Sequence, residues 1–139
     1  MKSRIISSLF AAIAFAAFPA TINADTADSG QITVTMNSVS NSGQTGTAKF
    51  SREEGTNVTI AIALTGVPTD VKEPAMIHAG SCSDEKPVAK VTLNPVVNGV
   101  SITTQKGPML SPGTYTIMVH KDSGSGINTI VSCGEFELK

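Results

Sequence analysis

The sequence has no tryptophan, one tyrosine and only two histidines among its 139 residues. Such a chain offers few aromatic rings on which nucleic-acid bases or sugars could stack. It also has no excess of basic residues, with 10 lysines and arginines against 11 aspartates and glutamates. Because a nucleic-acid-binding surface needs basic residues that neutralise phosphates, nucleic acid is not an expected partner.

Only one long apolar run is present, and it lies at the N-terminus. A short basic start precedes an apolar stretch over residues 5–17, and Ala24 comes just before Asp25. This layout is typical of a secretory signal peptide, and the run is shorter than the roughly 20 residues that a membrane-spanning helix needs. We therefore expect a signal peptide over residues 1–24, a periplasmic or secreted location, and one domain over residues 25–139 with no membrane segment.

Cysteine is scarce as well, since Cys82 and Cys133 are the only two. In an exported chain, two cysteines most simply form one disulfide. The bridge would close a loop of about 50 residues, which is worth roughly 4 kcal/mol in the chain-entropy model. A thiolate metal site is the alternative, and an oxidising compartment disfavours it.

Helical periodicity is absent beyond the signal peptide, and the remaining sequence favours short strands. It is rich in Val, Thr and Ile, with turn residues about every eight to twelve positions, and its prolines fall at or near proposed turns or strand ends. The candidate strands are QITVTMNSV, the hairpin GTAKFSREEGTNVTIAIALTGVP with its turn at residues 53–55, PAMIHAG, PVAKVTLN, GVSITTQ, GTYTIMVHK and TIVSCGEFEL. In the hairpin, Val58, Ile60, Ile62 and Leu64 alternate and should face the core. About eight antiparallel strands predict an all-β Greek-key sandwich or flattened barrel.

Each histidine follows a methionine by two positions, in Met76-Ile77-His78 and Met118-Val119-His120. Residues two apart in a strand share a face, so each Met projects with its His. If the intervening apolar residues face the core, all four Met and His side chains point outward. If the two strands are neighbours, the four side chains could meet.

Two thioethers and two imidazoles suit copper in its reduced state, because thioether sulfur selects Cu(I) and neutral imidazole binds copper well. The pattern therefore predicts a Cu(I) site formed by Met76, His78, Met118 and His120. The alternative is ordinary packing, since Met often fills gaps in cores. Met109, in the turn-rich segment KGPMLSPG, is a candidate for an additional sulfur ligand or for a plug at the end of the barrel.

Four segments, in order, resemble parts of the copper/zinc superoxide dismutase-like family, especially its exported bacterial domains. GTAKF…GTNVTIAIALTGVP resembles the opening hairpins, and PAMIHAGSC resembles the histidine-x-histidine strand that leads to a cysteine. YTIMVHKD resembles the strand with a later copper histidine, and IVSCGEFEL is similar to the closing strand with the second cysteine. The resemblance covers most of residues 31–139. It implies an antiparallel Greek-key sandwich and a Cys82–Cys133 bridge.

The resemblance also assigns positions within a copper site. Met76 stands at the position of the family's first copper histidine, and His78 and His120 match two further copper histidines. Met118 is an addition on the same strand face as His120. Where the family has an arginine that guides superoxide, this chain has Ile130.

These departures bear on function. Two histidines cannot supply the four copper histidines and the zinc site of the family enzymes, so we expect copper and no zinc. Thioether ligands favour Cu(I) over the cycling that dismutation requires, and a mildly acidic protein lacks positive steering for superoxide.

We therefore expect no catalysis. The predicted function is a periplasmic copper-binding protein that holds Cu(I) for delivery or sequestration and exchanges it with a donor or acceptor protein. One alternative is a copper-dependent superoxide dismutase-like enzyme. The other is a metal-free β-sandwich that binds another protein.

Overall fold

The computed structural model describes residues 30–52, 55–107, 109–122, 124 and 128–139. The predicted signal peptide and part of the predicted turn at residues 53–55 lie outside these residues. None of the described residues forms a helix long and apolar enough to span a membrane. The strands are β1 (Ile32–Ser38), β2 (Thr45–Arg52), β3 (Asn57–Thr65), β4 (Lys72–Ala79), β5 (Val88–Val97), β6 (Val100–Lys106), β7 (Gly113–His120) and β8 (Ile130–Leu138).

The eight strands close into an antiparallel barrel in the order β1-β2-β3-β6-β5-β4-β7-β8. Because β3 pairs with β6 and β4 with β7, the β3–β4 and β6–β7 connections cross between strands that are not neighbours. The prediction of an all-β, eight-stranded flattened barrel is confirmed. This crossover places the two Met-x-His strands side by side.

The barrel is filled by alternate residues of each strand, because successive side chains in a strand point to opposite faces. Ile60, Ile62 and Leu64 of β3 are buried in the core, as their spacing predicts. Phe50 packs against Phe136 with ring centroids 4.8 Å apart, which closes the core between β2 and β8. The core therefore lies inside the barrel, and the outer faces of the strands are available for a site.

Two prolines lie within strands, which the sequence did not predict. Pro74 is in β4 and Pro95 is in the facing β5. Proline has no N–H to donate to a ladder, so it is confined to edges, strand starts and bulges. The ladder accordingly changes register between Glu73 and Ala75, and both prolines fall in this irregular segment.

Cys82 and Cys133 form a disulfide, as predicted, with an S–S distance of 2.07 Å and Cα atoms 6.1 Å apart. The bridge links the loop after β4 to β8. Both cysteines are consumed in it, so the thiolate metal site considered as an alternative does not form.

Candidate metal centre

The two Met-x-His strands are direct neighbours. β4 and β7 pair antiparallel, and Met76 is the Cα partner of Met118. Side chains directly opposite each other in such a pair have Cβ atoms about 4.5–5.5 Å apart. The register therefore places the two thioether side chains next to each other on one face of the sheet.

That face is the outer one. Ile77, Ile117 and Val119 alternate with the Met and His residues, and all three are fully buried in the core cluster. Met76, His78, Met118 and His120 therefore project away from the core, as the strand parity predicts. None of these four belongs to the cluster that fills the barrel, although Met118 is itself fully buried.

The two imidazoles converge. Their ring centroids lie 5.8 Å apart with an interplanar angle of 58°, although His78 is opposite Thr116, four residues before His120 on β7. Four strand residues span about 13 Å, so both rings must lean inward along the strands. Along the strands, the Met76–Met118 pair lies between the two histidines, so the rings approach each other over that pair.

A register shift adjoins each histidine. The β4–β5 ladder is irregular between Ile77 and His78, and the β7–β8 ladder is irregular between Val119 and His120. Bulges twist a strand locally and re-aim its side chains, and they are common beside functional sites. The two irregularities give a physical reason why the rings converge further than a regular ladder would allow.

Although it lies on the outer face, this group is covered. Met118 is 0% exposed, His78 is 4% exposed and His120 is 8% exposed, while Met76 is half-buried. The sequence predicted that these side chains point outward, and it did not predict that three of them would be buried.

A short segment after β4, residues 80–82, which we call the strap, lies over part of this face. It begins where β4 ends, and the disulfide joins its last residue to Cys133 of β8, the Cα partner of Met118. Because β7 lies between β4 and β8, the strap must pass across the outer face of β7. The Gly80 N–H donates to the Thr114 carbonyl at 3.0 Å, and the Cys82 N–H donates to Glu135 Oε1 at 2.6 Å.

Burial leaves polar atoms beside the methionines without partners. Among the described residues, the buried atoms His78 Nδ1 and Thr116 Oγ1 have no hydrogen-bond partner. Burial, and secondarily the neighbouring His120, lowers the pKa of His78 below its ordinary value of 6.5. The neutral imidazole that results is the form that can act as a metal ligand.

The residue types at this position differ from those of a common zinc site. No three His, Cys, Asp or Glu side chains come together in the described part of the chain. A site made only of these residue types, as zinc uses, therefore has no counterpart there. The side chains that the described structure brings together at this position are two thioethers and two imidazoles.

Met109 lies elsewhere. It is half-buried against the core and lines a cavity of about 460 Å³ together with Phe50, Val58 and Leu138. This cavity includes none of the four Met and His residues on the outer face of β4 and β7. The structure therefore does not bring Met109 to the candidate centre. Its position agrees with the other prediction for this residue, a plug at the end of the barrel.

Two residues near the centre were missed by sequence reasoning. Thr116 is fully buried opposite His78, and Glu135, the Cα partner of Thr116 on β8, anchors the strap. Thr116 lies two positions before Met118, and Glu135 lies two positions after Cys133, and both of those neighbours were already candidates. Strand parity, applied one step further, would have placed both on the same face.

No family model and no curated protein matches the sequence. Among solved structures, superoxide dismutase 5 of Candida albicans, determined as a single-site variant, is similar over 78% of this chain and 92% of its own. The TM-score is 0.53 and the sequence identity is 16%. At this identity the likeness concerns architecture alone. The chain therefore has a superoxide dismutase-like fold, with a methionine and histidine cluster on the outer face of β4 and β7.

Proposed function

We propose that this protein binds one Cu(I) ion as cargo through Met76, His78, Met118 and His120, for copper delivery or sequestration outside the cytoplasm. The observation that carries the proposal is the direct pairing of Met76 with Met118 beneath two converging imidazoles. The predicted signal peptide and the disulfide support an oxidising compartment such as the periplasm.

The spacing of the imidazoles supports a shared ion. Two imidazoles that bind one ion through nitrogen at about 2 Å, as imidazole does in zinc sites, have ring centroids at most about 6.5 Å apart. The observed 5.8 Å lies within that limit. The buried, unpartnered Nδ1 of His78 further supports a missing partner at this position.

The charge of the donor set supports the reduced ion. Two thioethers and two neutral imidazoles carry no charge, and burying an ion costs more as its charge rises. A monovalent, soft ion such as Cu(I) therefore fits better than a divalent one, and thioether sulfur has the same preference.

The same features weigh against a dismutase. The Cα partner of His120 on β8 is Ile130, an apolar residue that cannot attract superoxide as a positive charge would. Thioether ligands also stabilise Cu(I) and so oppose cycling between the two copper states. We therefore propose a non-enzymatic role.

The test is an anaerobic Cu(I) titration of residues 25–139 in competition with a chromophoric chelator. We expect one tight site, which Met118→Leu or His120→Ala weakens by more than about tenfold because each removes a ligand. Met109→Leu is the matched control, since this methionine lines another cavity, and it should bind like the wild type. Binding no tighter than the micromolar range would exclude the proposal and favour the metal-free protein-binding module.

A further inference from the structure

We propose that the Cys82–Cys133 disulfide is a redox-active latch on the strap: a dithiol reductant opens the bridge, the strap lifts and Met118 becomes accessible. The inference deepens the proposed function, and it rests on that function only for its consequence for copper. The disulfide would react with a dithiol, and the strap would control access to the site.

The first observation is that the cover is local. Val100 and Ile102, on the outer face of β6, are 56% and 59% exposed. Met118 and Thr116, on the outer face of β7, are each 0% exposed. The difference coincides with the place where the strap crosses from β4 to β8.

The second observation is that the strap has few attachments of its own. Its residues, Gly80, Ser81 and Cys82, are all half-buried, and none contributes a large apolar side chain to the core cluster. Besides the disulfide, two hydrogen bonds attach it to neighbouring strands, to the Thr114 carbonyl of β7 and to Glu135 of β8. Its other hydrogen bonds run to residues 83 and 84 of the same loop. Segments with few buried apolar contacts open at low free energy, so the covalent bond is the main restraint.

The third observation is that the bridge can be reached from outside the barrel. A cavity of about 450 Å³ opens beside it and is lined by Cys82, Cys133, Glu135 and the β1 residues Thr33, Thr35 and Asn37. Cys82 is half-buried, whereas Cys133 is 2% exposed. Cys82 is therefore the more exposed residue of the bridge.

The reaction is a thiol–disulfide exchange. One thiolate of the dithiol attacks Cys82 Sγ, the bond to Cys133 Sγ breaks, and Cys133 leaves as a thiolate that takes up a proton. The second thiol of the reductant then attacks the mixed disulfide and releases the Cys82 thiol. In total, two electrons and two protons pass to the protein, and the dithiol becomes a disulfide.

The test measures methionine accessibility without metal. The Cys82→Ser/Cys133→Ser variant has no bridge and gains no thiol ligand. In dilute peroxide, with sulfoxide formation followed by mass spectrometry, we expect Met118 to oxidise several-fold faster in this variant than in the oxidised wild type. Met36 is the internal control, since it is 1% exposed inside the barrel core, and its rate should not change.

Two outcomes would overturn the inference. If Met118 keeps its wild-type rate, the strap covers it without the disulfide. If Met36 and Met118 accelerate together, the bridge stabilises the whole barrel and is not a local latch.

A second pair of variants tests the strap with the disulfide intact. Glu135→Ala removes the acceptor of the Cys82 N–H, and Glu137→Ala removes an exposed carboxylate of the same strand. We expect faster Met118 oxidation in the first variant only. Equal rates in the two would contradict the strap's role as a cover, whatever the double cysteine variant does.

The consequence for copper is measured separately. After Cu(I) loading, transfer to a chelator should be several-fold faster from the Cys82→Ser/Cys133→Ser variant than from the wild type. If the wild type binds no Cu(I), the proposed function fails while the oxidation result still stands. If it binds Cu(I) and the transfer rates are equal, the latch does not control the metal.

Discussion

At the scale of single residues, the methionine pair allows metal ligation, as proposed, to be distinguished from packing. Met76 and Met118 are direct cross-strand partners, and leucine has nearly the same volume and polarity as methionine. Such a substitution usually costs less than about 1.5 kcal/mol of stability, yet it removes a sulfur ligand. A loss of Cu(I) affinity in these variants would therefore report on ligation.

We predict that Met76→Leu and Met118→Leu are non-additive. Ligands of one ion act as a unit, whereas independent sites add within about 0.5 kcal/mol. Each single variant should weaken Cu(I) binding by more than about tenfold, and the double variant should lose less than the sum of the two losses in binding free energy. Competition titration of the four proteins measures the coupling, and strict additivity would argue against a shared ion.

A buried acid provides a prediction on pH. Glu73 of β4 is 1% exposed, and its carboxylate accepts a hydrogen bond from Gln44 Nε2 at 2.7 Å. Burial raises the pKa of Glu73 above its ordinary value of 4.5, and the bond from Gln44 offsets only part of this effect. The folded state thus holds the proton more tightly than the unfolded state does.

The stabilisation that Glu73 contributes is therefore fully present below about pH 4.5 and is lost as the pH rises through the raised pKa. We predict that Glu73→Gln removes this loss and makes the protein more stable than the wild type at neutral pH. Its amide can also donate to Gln44 Oε1, which is buried without a partner among the described residues. Urea unfolding from pH 4 to pH 8 tests this, with Glu137→Gln as the exposed control, and parallel curves for all three proteins would contradict it.

At the scale of strands and loops, period-two alternation was enough to assign faces. It correctly placed Ile77, Ile117 and Val119 inward, and hence the Met and His side chains outward. It could not give the register that opposes Met76 to Met118, because register depends on pairing between strands distant in sequence. Nor could it give the bulges beside the histidines, because these too depend on how distant strands pair.

The strap was equally hidden from the sequence, and Gly80 is its weakest point for substitution. Gly80 has φ of +100°, and an added Cβ would clash with Asp84 Oδ2. That carboxylate accepts the Ser81 N–H at 2.7 Å, so it cannot move without losing a hydrogen bond. Gly55 has a similar φ of +91° with open space around it.

We predict that both Gly80→Ala and Gly55→Ala destabilise, by about 1–3 kcal/mol for the positive φ. Gly80→Ala should cost about 1 kcal/mol more, because it also displaces the hydrogen-bonded Asp84. Denaturant unfolding of the two variants isolates the difference. Equal losses would mean that the strap yields to the added methyl group without cost.

At the scale of the whole molecule, the barrel and the site are built on opposite faces of the same strands. Inward-facing residues of β4 and β7 fill the core, and the alternate residues form the Met and His cluster on the outer face. Composition and periodicity predicted the eight strands, whereas the order that joins β4 to β7 depends on crossovers that no local pattern encodes. Residues on the outer face can therefore change without disturbing the core.

This separation leads to a prediction about the stability of the whole barrel. The four proposed ligands come from two strands that are adjacent only in the folded state, so Cu(I) should bind the native barrel far more tightly than the unfolded chain. A ligand selective for the native state adds about 2.7 kcal/mol at a free concentration of one hundred times Kd. For a domain of this size, that corresponds to a rise in Tm of about 10 °C.

Anaerobic thermal unfolding of residues 25–139, with and without buffered Cu(I), measures this shift. The Met76→Leu/Met118→Leu variant keeps the core and should unfold near the Tm of the metal-free wild type in both conditions. A rise of equal size in that variant would place the bound copper elsewhere on the chain. Because the shift depends on Kd through mass action, its growth with free Cu(I) also provides an affinity independent of the competition titration.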